Sequence, residues 1–110
     1  MQSLKNFQEY KNSINSVLSK ISEEKLFKSI KLIKKTIKNK GKIYIVGNGG
    51  SSSIASHVSV DFAKVARVQS ATFNNTNLIT CFANDYGYDK WVVEAIKAYL
   101  NKNDMVILIS

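Results

Sequence analysis

Two rhythms of apolar residues divide this chain. From the start, Leu4, Phe7, Ile14, Val17, Leu18 and Ile21 recur at intervals of three, four and seven. That is the period of one helical face. Lys5, Glu9, Asn12, Ser16 and Lys20 take the other faces. Ser22 followed by Glu23 and Glu24 reads as a helix start, with a capping hydroxyl and then acids at the positive end of the dipole. Leu26, Phe27, Ile30, Ile33 and Ile37 form a second stripe among crowded lysines, and Gly41 is the expected C-cap.

Beyond Gly41 the rhythm changes. Ile43 to Val46 is a continuous apolar run, the mark of a strand covered on both faces. Gly47-Asn48-Gly49-Gly50 forms a sharp turn, and Ser51, Ser52 or Ser53 is placed to cap the helix that follows. That helix is expected from about Ser52 to Val65, with Ile54, Ala55, Val58, Phe62 and Val65 inward. Ser70 to Phe73 reads as a second strand and Asn74 to Asn77 as a turn. Leu78 to Ala83 reads as a short helix and Asn84 to Tyr88 as a loop. A further helix opens at Tyr88 or Asp89 and carries Trp91, Val92, Ala95, Ile96, Tyr99 and Leu100. Met105 to Ile109 is a third strand. Two helices and then strand, helix, strand, helices, strand predict an α/β fold: a parallel sheet covered by helices. Ligands in such sheets bind beyond the carboxyl ends of the strands, where Gly47 to Ser53 and Asn74 to Asn77 are both expected.

With 110 residues the chain has room for one small domain. Its one cysteine, Cys81, has no internal partner, which points to a reducing compartment. The apolar setting Ile79-Thr80-Cys81-Phe82-Ala83 reads as a buried Cys81. No run has transmembrane length and no signal peptide opens the chain, so a cytoplasmic location and no membrane partner are expected. The net charge of +8 is uneven. Eleven of the sixteen basic residues precede Ile43, all of them lysines, and the remainder carries five basic and five acidic residues. The excess therefore belongs to the solvated faces of the first helices, and no nucleic-acid partner is expected.

Three clusters carry candidate chemistry. The glycine turn leaves peptide N–H groups bare at a helix N-terminus, an arrangement that attracts anions or is simply a turn. His57 and Asp61 stand four apart on one helical face. They suit a divalent metal, a histidine oriented for proton transfer, or a plain surface pair. Asn84 and Asp85, flanked by Tyr86 and Tyr88, suit sugar hydroxyls or shape a loop.

These residues carry a resemblance. Gly47-Asn48-Gly49-Gly50-Ser51, His57 six positions later, the acid Asp61, and Cys81-x-x-Asn84-Asp85-Tyr86-Gly87-Tyr88 resemble the sugar isomerase (SIS) family of phosphosugar-binding domains, in its phosphoheptose isomerase branch. The resemblance implies a three-layer α/β/α sandwich around a parallel sheet. Residues 1–41 would be an N-terminal helical pair, and 42–110 the N-terminal part of a SIS domain. It implies a homo-oligomer, a tetramer in the family, with active sites between subunits. It also implies aldose–ketose isomerisation of sedoheptulose 7-phosphate to D-glycero-D-manno-heptose 7-phosphate, for lipopolysaccharide or capsule. Asn48, Gly49, Gly50 and Ser51, with Asn84 and Asp85, match substrate-binding positions. His57 and Asp61 match zinc-ligating positions, and both are candidate catalytic residues, Asp61 at the position of the family's glutamate. The departures are Asp61 in place of that Glu, Ile54 in place of an Asp, a shorter segment at Ala66 to Ser70, and no Ser-rich phosphate loop or C-terminal Gln and His. They leave a second expectation: a non-catalytic phosphosugar-binding module, or an inactive truncated product.

Overall fold

The computed structural model describes residues 1–110. They form α1 (Gln2–Ser19), α2 (Glu23–Lys38), β1 (Ile43–Gly47), α3 (Gly50–Lys64), β2 (Ser70–Thr72), α4 (Thr76–Tyr86), α5 (Trp91–Tyr99) and β3 (Met105–Ile109). The chain has two compact units, Met1–Ile30 and Lys31–Ser110.

The first unit is helical and has no buried residue. Ser22 caps α2 as its position suggests, its Oγ accepting the Lys25 N–H at 3.3 Å. Glu24 and Lys28 pair one turn apart at 2.7 Å. The α1 stripe lies open, with Leu4 72% and Phe7 64% exposed.

In the second unit three parallel strands pair in the order β2-β1-β3. The central strand β1 is buried along its whole length, which explains why its sequence is apolar without alternation. Its side chains feed two cores. Tyr44 and Val46 pack with Phe73, Trp91 and Ala95, and with Leu78, Ile79 and Phe82 of α4. Ile43 and Ile45 pack on the other face with Ala55, Val58 and Phe62 of α3, Val68, and Ile33. Helices therefore cover both faces, which makes the three-layer α/β/α sandwich expected from the sequence.

Several boundaries differ from the sequence reading, each for a local reason. The turn into α3 has no serine cap: Gly49 is the N-cap at φ 55°, and Ser52 Oγ instead donates to the Gly49 carbonyl at 2.7 Å. The helix therefore begins at Gly50 and not at Ser52. Asn84, Asp85 and Tyr86 lie in α4 and not in a loop. Nothing before Gly87 breaks that helix, and the Phe82 and Tyr86 rings pair one turn apart at 5.8 Å. Gly87, at φ 94°, ends it. Cys81 is exposed and not buried, because Leu78, Ile79, Phe82 and Ala83 are the α4 residues that turn inward. At the end of α2 the left-handed residue is Lys40, φ 58°, and not Gly41. Gly41 is required for a different reason: a Cβ there would overlap the Asn103 backbone carbonyl.

A carboxylate closes the amino end of β1. Asp104 accepts the Lys42 N–H at 2.7 Å and the Asn101 N–H at 2.8 Å. Burial alone would raise the Asp104 pKa. The backbone N–H groups of Lys42 and Asn101, the Asn101 amide and the Lys42 charge outweigh it and hold the carboxyl below its ordinary value.

Candidate functional site

The carboxyl end of β1 is built differently. β2 peels away after Thr72, and the Phe73 carbonyl leaves the ladder to accept the Asn75 N–H at 2.7 Å. The Asn74 side chain takes the vacated position. Its Oδ1 accepts the Gly47 N–H at 3.0 Å, and its Nδ2 donates to the Gly47 carbonyl. Thr72 Oγ1 donates to the same Oδ1 at 3.1 Å and accepts the Asn74 N–H at 3.1 Å. Gly47 is needed by packing, since a Cβ would lie 2.5 Å from the Ser51 carbonyl oxygen. A Cβ on Gly49 or Gly50 would meet nothing within 4 Å, so both residues face open space.

The turn thus presents peptide nitrogens to solvent. The Ser51 and Ser52 N–H groups close back on the Asn48 and Gly49 carbonyls, both at 3.0 Å. The Asn48 N–H continues the ladder toward β3, where Gly47 pairs with Ile109, and the N–H groups of Gly49 and Gly50 find no acceptor within the chain. Bare N–H groups at a helix N-terminus make a site for an anion. Beside them a cleft of about 410 Å³ opens between the ends of β1 and β3, within the size range of small-molecule sites. Gly47, Asn48 and Ser51 form one wall, and Val92, Val93 and Leu108 form the other.

The remaining candidate residues form two further groups. His57 Nε2 and Asp61 Oδ2 are 3.4 Å apart on α3, with side chains 78% and 52% exposed. At 1.5 Å per residue they stand roughly 10 Å and 16 Å along the helix from Gly50. Neither lines the cleft at the turn. Asp61 instead borders a shallow groove of about 430 Å³ with Val58, Phe62, Val65 and Ala66. Asn84 and Asp85 lie near the end of α4, exposed, with Asn84 Nδ2 donating to Asp85 Oδ1 at 3.0 Å. No hydrogen bond joins the three groups. As for metal, no three His, Cys, Asp or Glu side chains gather anywhere. His57 and Asp61 are the right donor types for zinc but make half of a tetrahedral set. By themselves they do not fit as a metal site.

Comparison with known proteins matches this architecture. The family model described as SIS domain matches residues 9–110. The phosphoheptose isomerase of Helicobacter pylori (strain P12) is 35% identical over 112 residues, covering 96% of this chain and 58% of that protein. The phosphoheptose isomerase of Aliarcobacter butzleri (strain RM4018) is 31% identical over 113 residues, covering 97% and 59%. The solved structure of phosphoheptose isomerase GmhA from Neisseria gonorrhoeae superposes with a TM-score of 0.86 at 25% identity, covering 100% of this chain and 61% of that one. The chain spans about six-tenths of the length of the curated relatives it matches. With a parallel sheet between helical layers, a glycine turn opening the first helix after β1, and a family model running from α1 through β3, this chain belongs to the SIS domain family.

Proposed function

We propose that this chain is the phosphosugar-binding N-terminal part of an aldose–ketose isomerase acting on sedoheptulose 7-phosphate. The observation that carries the reading is the turn at Asn48, Gly49 and Gly50. Gly49 and Gly50 leave their N–H groups free beside a cleft of ligand size lined by Asn48 and Ser51, in a chain whose matched relatives are phosphoheptose isomerases. In this reading Asn48, Gly49, Gly50 and Ser51 hold the sugar phosphate, and Asn84 and Asp85 hydrogen-bond its hydroxyls. Residues 42–110 are the N-terminal part of the SIS domain, preceded by the helical pair 1–41.

The chemistry asked of Asp61 is simple. Its carboxylate takes a proton from C1 of the ketose and returns it to C2 of the enediol intermediate, while the O1 hydroxyl proton passes to O2, so that O1 becomes the aldehyde oxygen and O2 a hydroxyl. His57, 3.4 Å away, orients that carboxylate. The pair's exposure, and its distance along α3 from the turn, agree with a site completed by a second copy in a homo-oligomer, with a tetramer as the proposed assembly. Zinc at His57 and Asp61 is part of the proposal only with further ligands from outside this chain, and the proton transfer is derived without it. No helix is long and apolar enough to cross a membrane. A cytoplasmic location and a role in heptose supply to lipopolysaccharide or capsule complete the reading.

The same exposure favours a second reading, a phosphosugar-binding module without turnover. Asp61 is one methylene shorter than glutamate, and misplacement near an ångström is costly for proton transfer. Sedoheptulose 7-phosphate at 100 times its Kd is expected to stabilise the folded chain by about 2.7 kcal/mol in thermal melts. An isomerase converts that ligand to the heptose 7-phosphate, and Asp61→Asn abolishes conversion while the thermal shift persists. Stabilisation without conversion selects the binding module. No stabilisation by any sugar phosphate, with no conversion, ends both readings.

A further inference from the structure

We infer that Asn74 is a positioning residue for the glycine turn: its amide acts as a substitute strand residue that fixes where the Gly49 and Gly50 N–H groups point. Along β1 the odd-numbered residues turn their peptide groups toward β2. Ile43 pairs with Ser70 and Ile45 with Thr72, and the Ile43 N–H donates to the Gln69 carbonyl at 2.9 Å. The next pair in this ladder would engage Gly47 with residues 73 and 75. β2 has left by then, and the Phe73 carbonyl bonds to the Asn75 N–H.

A peptide edge at this position would leave the Gly47 N–H and C=O unpaired beside the cores. Unpaired backbone groups of this kind are costly, so a replacement is demanded. A carboxamide is the one side-chain group with a peptide's own donor and acceptor, and Asn74 uses both on Gly47. Thr72 holds the amide in that orientation by donating to Oδ1. Because Asn75 accepts from the Asn77 and Leu78 N–H groups as the α4 cap, adjacent asparagines do two separate jobs. Asn74 fixes β1 and Asn75 starts α4.

Gly47 is the last residue before the turn and lies against Ser51. Its two hydrogen bonds therefore set the direction in which the backbone enters Asn48. Neutrality matters too. An aspartate here would still accept the Gly47 N–H, but it would have nothing to donate to the Gly47 carbonyl. It would also add a negative charge beside nitrogens left open to an anion.

The inference rests on the proposed sugar-phosphate reading for its ligand, and its test separates the two. The full ¹⁵N-labelled chain and its Asn74→Asp and Asn74→Ser variants are compared by amide hydrogen exchange and by titration with sedoheptulose 7-phosphate. In the unsubstituted chain the Gly47 N–H exchanges as slowly as Ile45. In both variants Gly47 exchange rises about tenfold or more while Ile45 is unchanged. Ligand binding followed at Asn48, Gly49 and Gly50 weakens about tenfold, and more for Asn74→Asp than for Asn74→Ser. Unchanged Gly47 exchange in both variants overturns the inference, as does faster exchange with undiminished binding. If the unsubstituted chain binds no sugar phosphate, the functional reading fails, and the positions of the Asn48–Gly50 amide resonances in the variants still decide the role of Asn74. Shifted resonances uphold it, and unshifted ones overturn it.

Discussion

The two ends of β1 solve one problem with different chemistry. Each leaves peptide groups that no neighbouring strand reaches, and each is closed by a side chain far away in sequence. At the amino end the closer is Asp104, a charged acceptor gathering the Lys42 and Asn101 N–H groups. At the carboxyl end it is Asn74, a neutral group that both accepts and donates. A carboxylate gives the stronger hydrogen bonds where only donors need satisfying. A carboxamide leaves the surroundings uncharged, so nitrogens beyond it remain attractive to an anion. The end that is only structural carries the charge, and the end beside the open turn does not.

The largest expected effect comes from filling the glycine positions at the two ends of β1. Gly41→Ala and Gly47→Ala each force a methyl group into backbone. Each should cost about 3 kcal/mol or more in chemical denaturation, at the upper end of overpacking penalties. The contrast between the ends lies in ligand response. Gly41→Ala, where it remains folded, keeps its thermal shift with sedoheptulose 7-phosphate, and Gly47→Ala loses it. Equal loss from both would erase the functional distinction.

Smaller effects come from Asp104. Its folded pKa lies below the unfolded one, so its contribution is present above the unfolded pKa and disappears as pH falls through the folded pKa. Asp104→Asn should lower stability at neutral pH by about 1–2 kcal/mol and flatten the acid limb of a stability–pH curve, a result measurable by urea titration between pH 2 and 7. An unaltered acid limb would show that the charge at this end contributes nothing to stability.

The smallest effect is expected at Gly50→Ala. Gly50 has an ordinary negative φ and open space around it. Alanine in the first turn of α3 should be neutral or stabilising by up to about 1 kcal/mol. A clear loss of stability in thermal melts would mean that the turn is tighter than its geometry indicates.

Much of this arrangement is legible in the sequence because it is local. Ile43 to Val46 announces a doubly covered strand, and Ser22-Glu23-Glu24 announces the start of α2. Gly47 to Gly50 announces a sharp entry into a helix at the ligand-binding edge of the sheet. What escapes is set by neighbours in space. Asn84 and Asp85 look like a loop because asparagine and aspartate favour turns, yet the inward packing of Leu78, Ile79 and Phe82 carries α4 on to Gly87. Cys81 lies in an apolar run but on the outward side of that helix. The serines after the turn look like caps, and Gly49 takes that position instead. Asn74 is the sharpest case. Its partner Gly47 lies 27 positions away, and no local pattern distinguishes it from the capping Asn75. Of the candidate site residues, Asn48 and Ser51 meet at one cleft. The separation of His57 and Asp61 from that cleft follows from the simple length of α3.

Trp91 is 1% exposed in the core that faces Tyr44 and Phe73, and it is the chain's one tryptophan. Its fluorescence is therefore a private signal from Lys31–Ser110, blind to Met1–Ile30. Far-ultraviolet circular dichroism counts helices from both units. If the two spectroscopies trace separate melting curves, the halves of this polypeptide come apart independently, and a single midpoint temperature does not describe it.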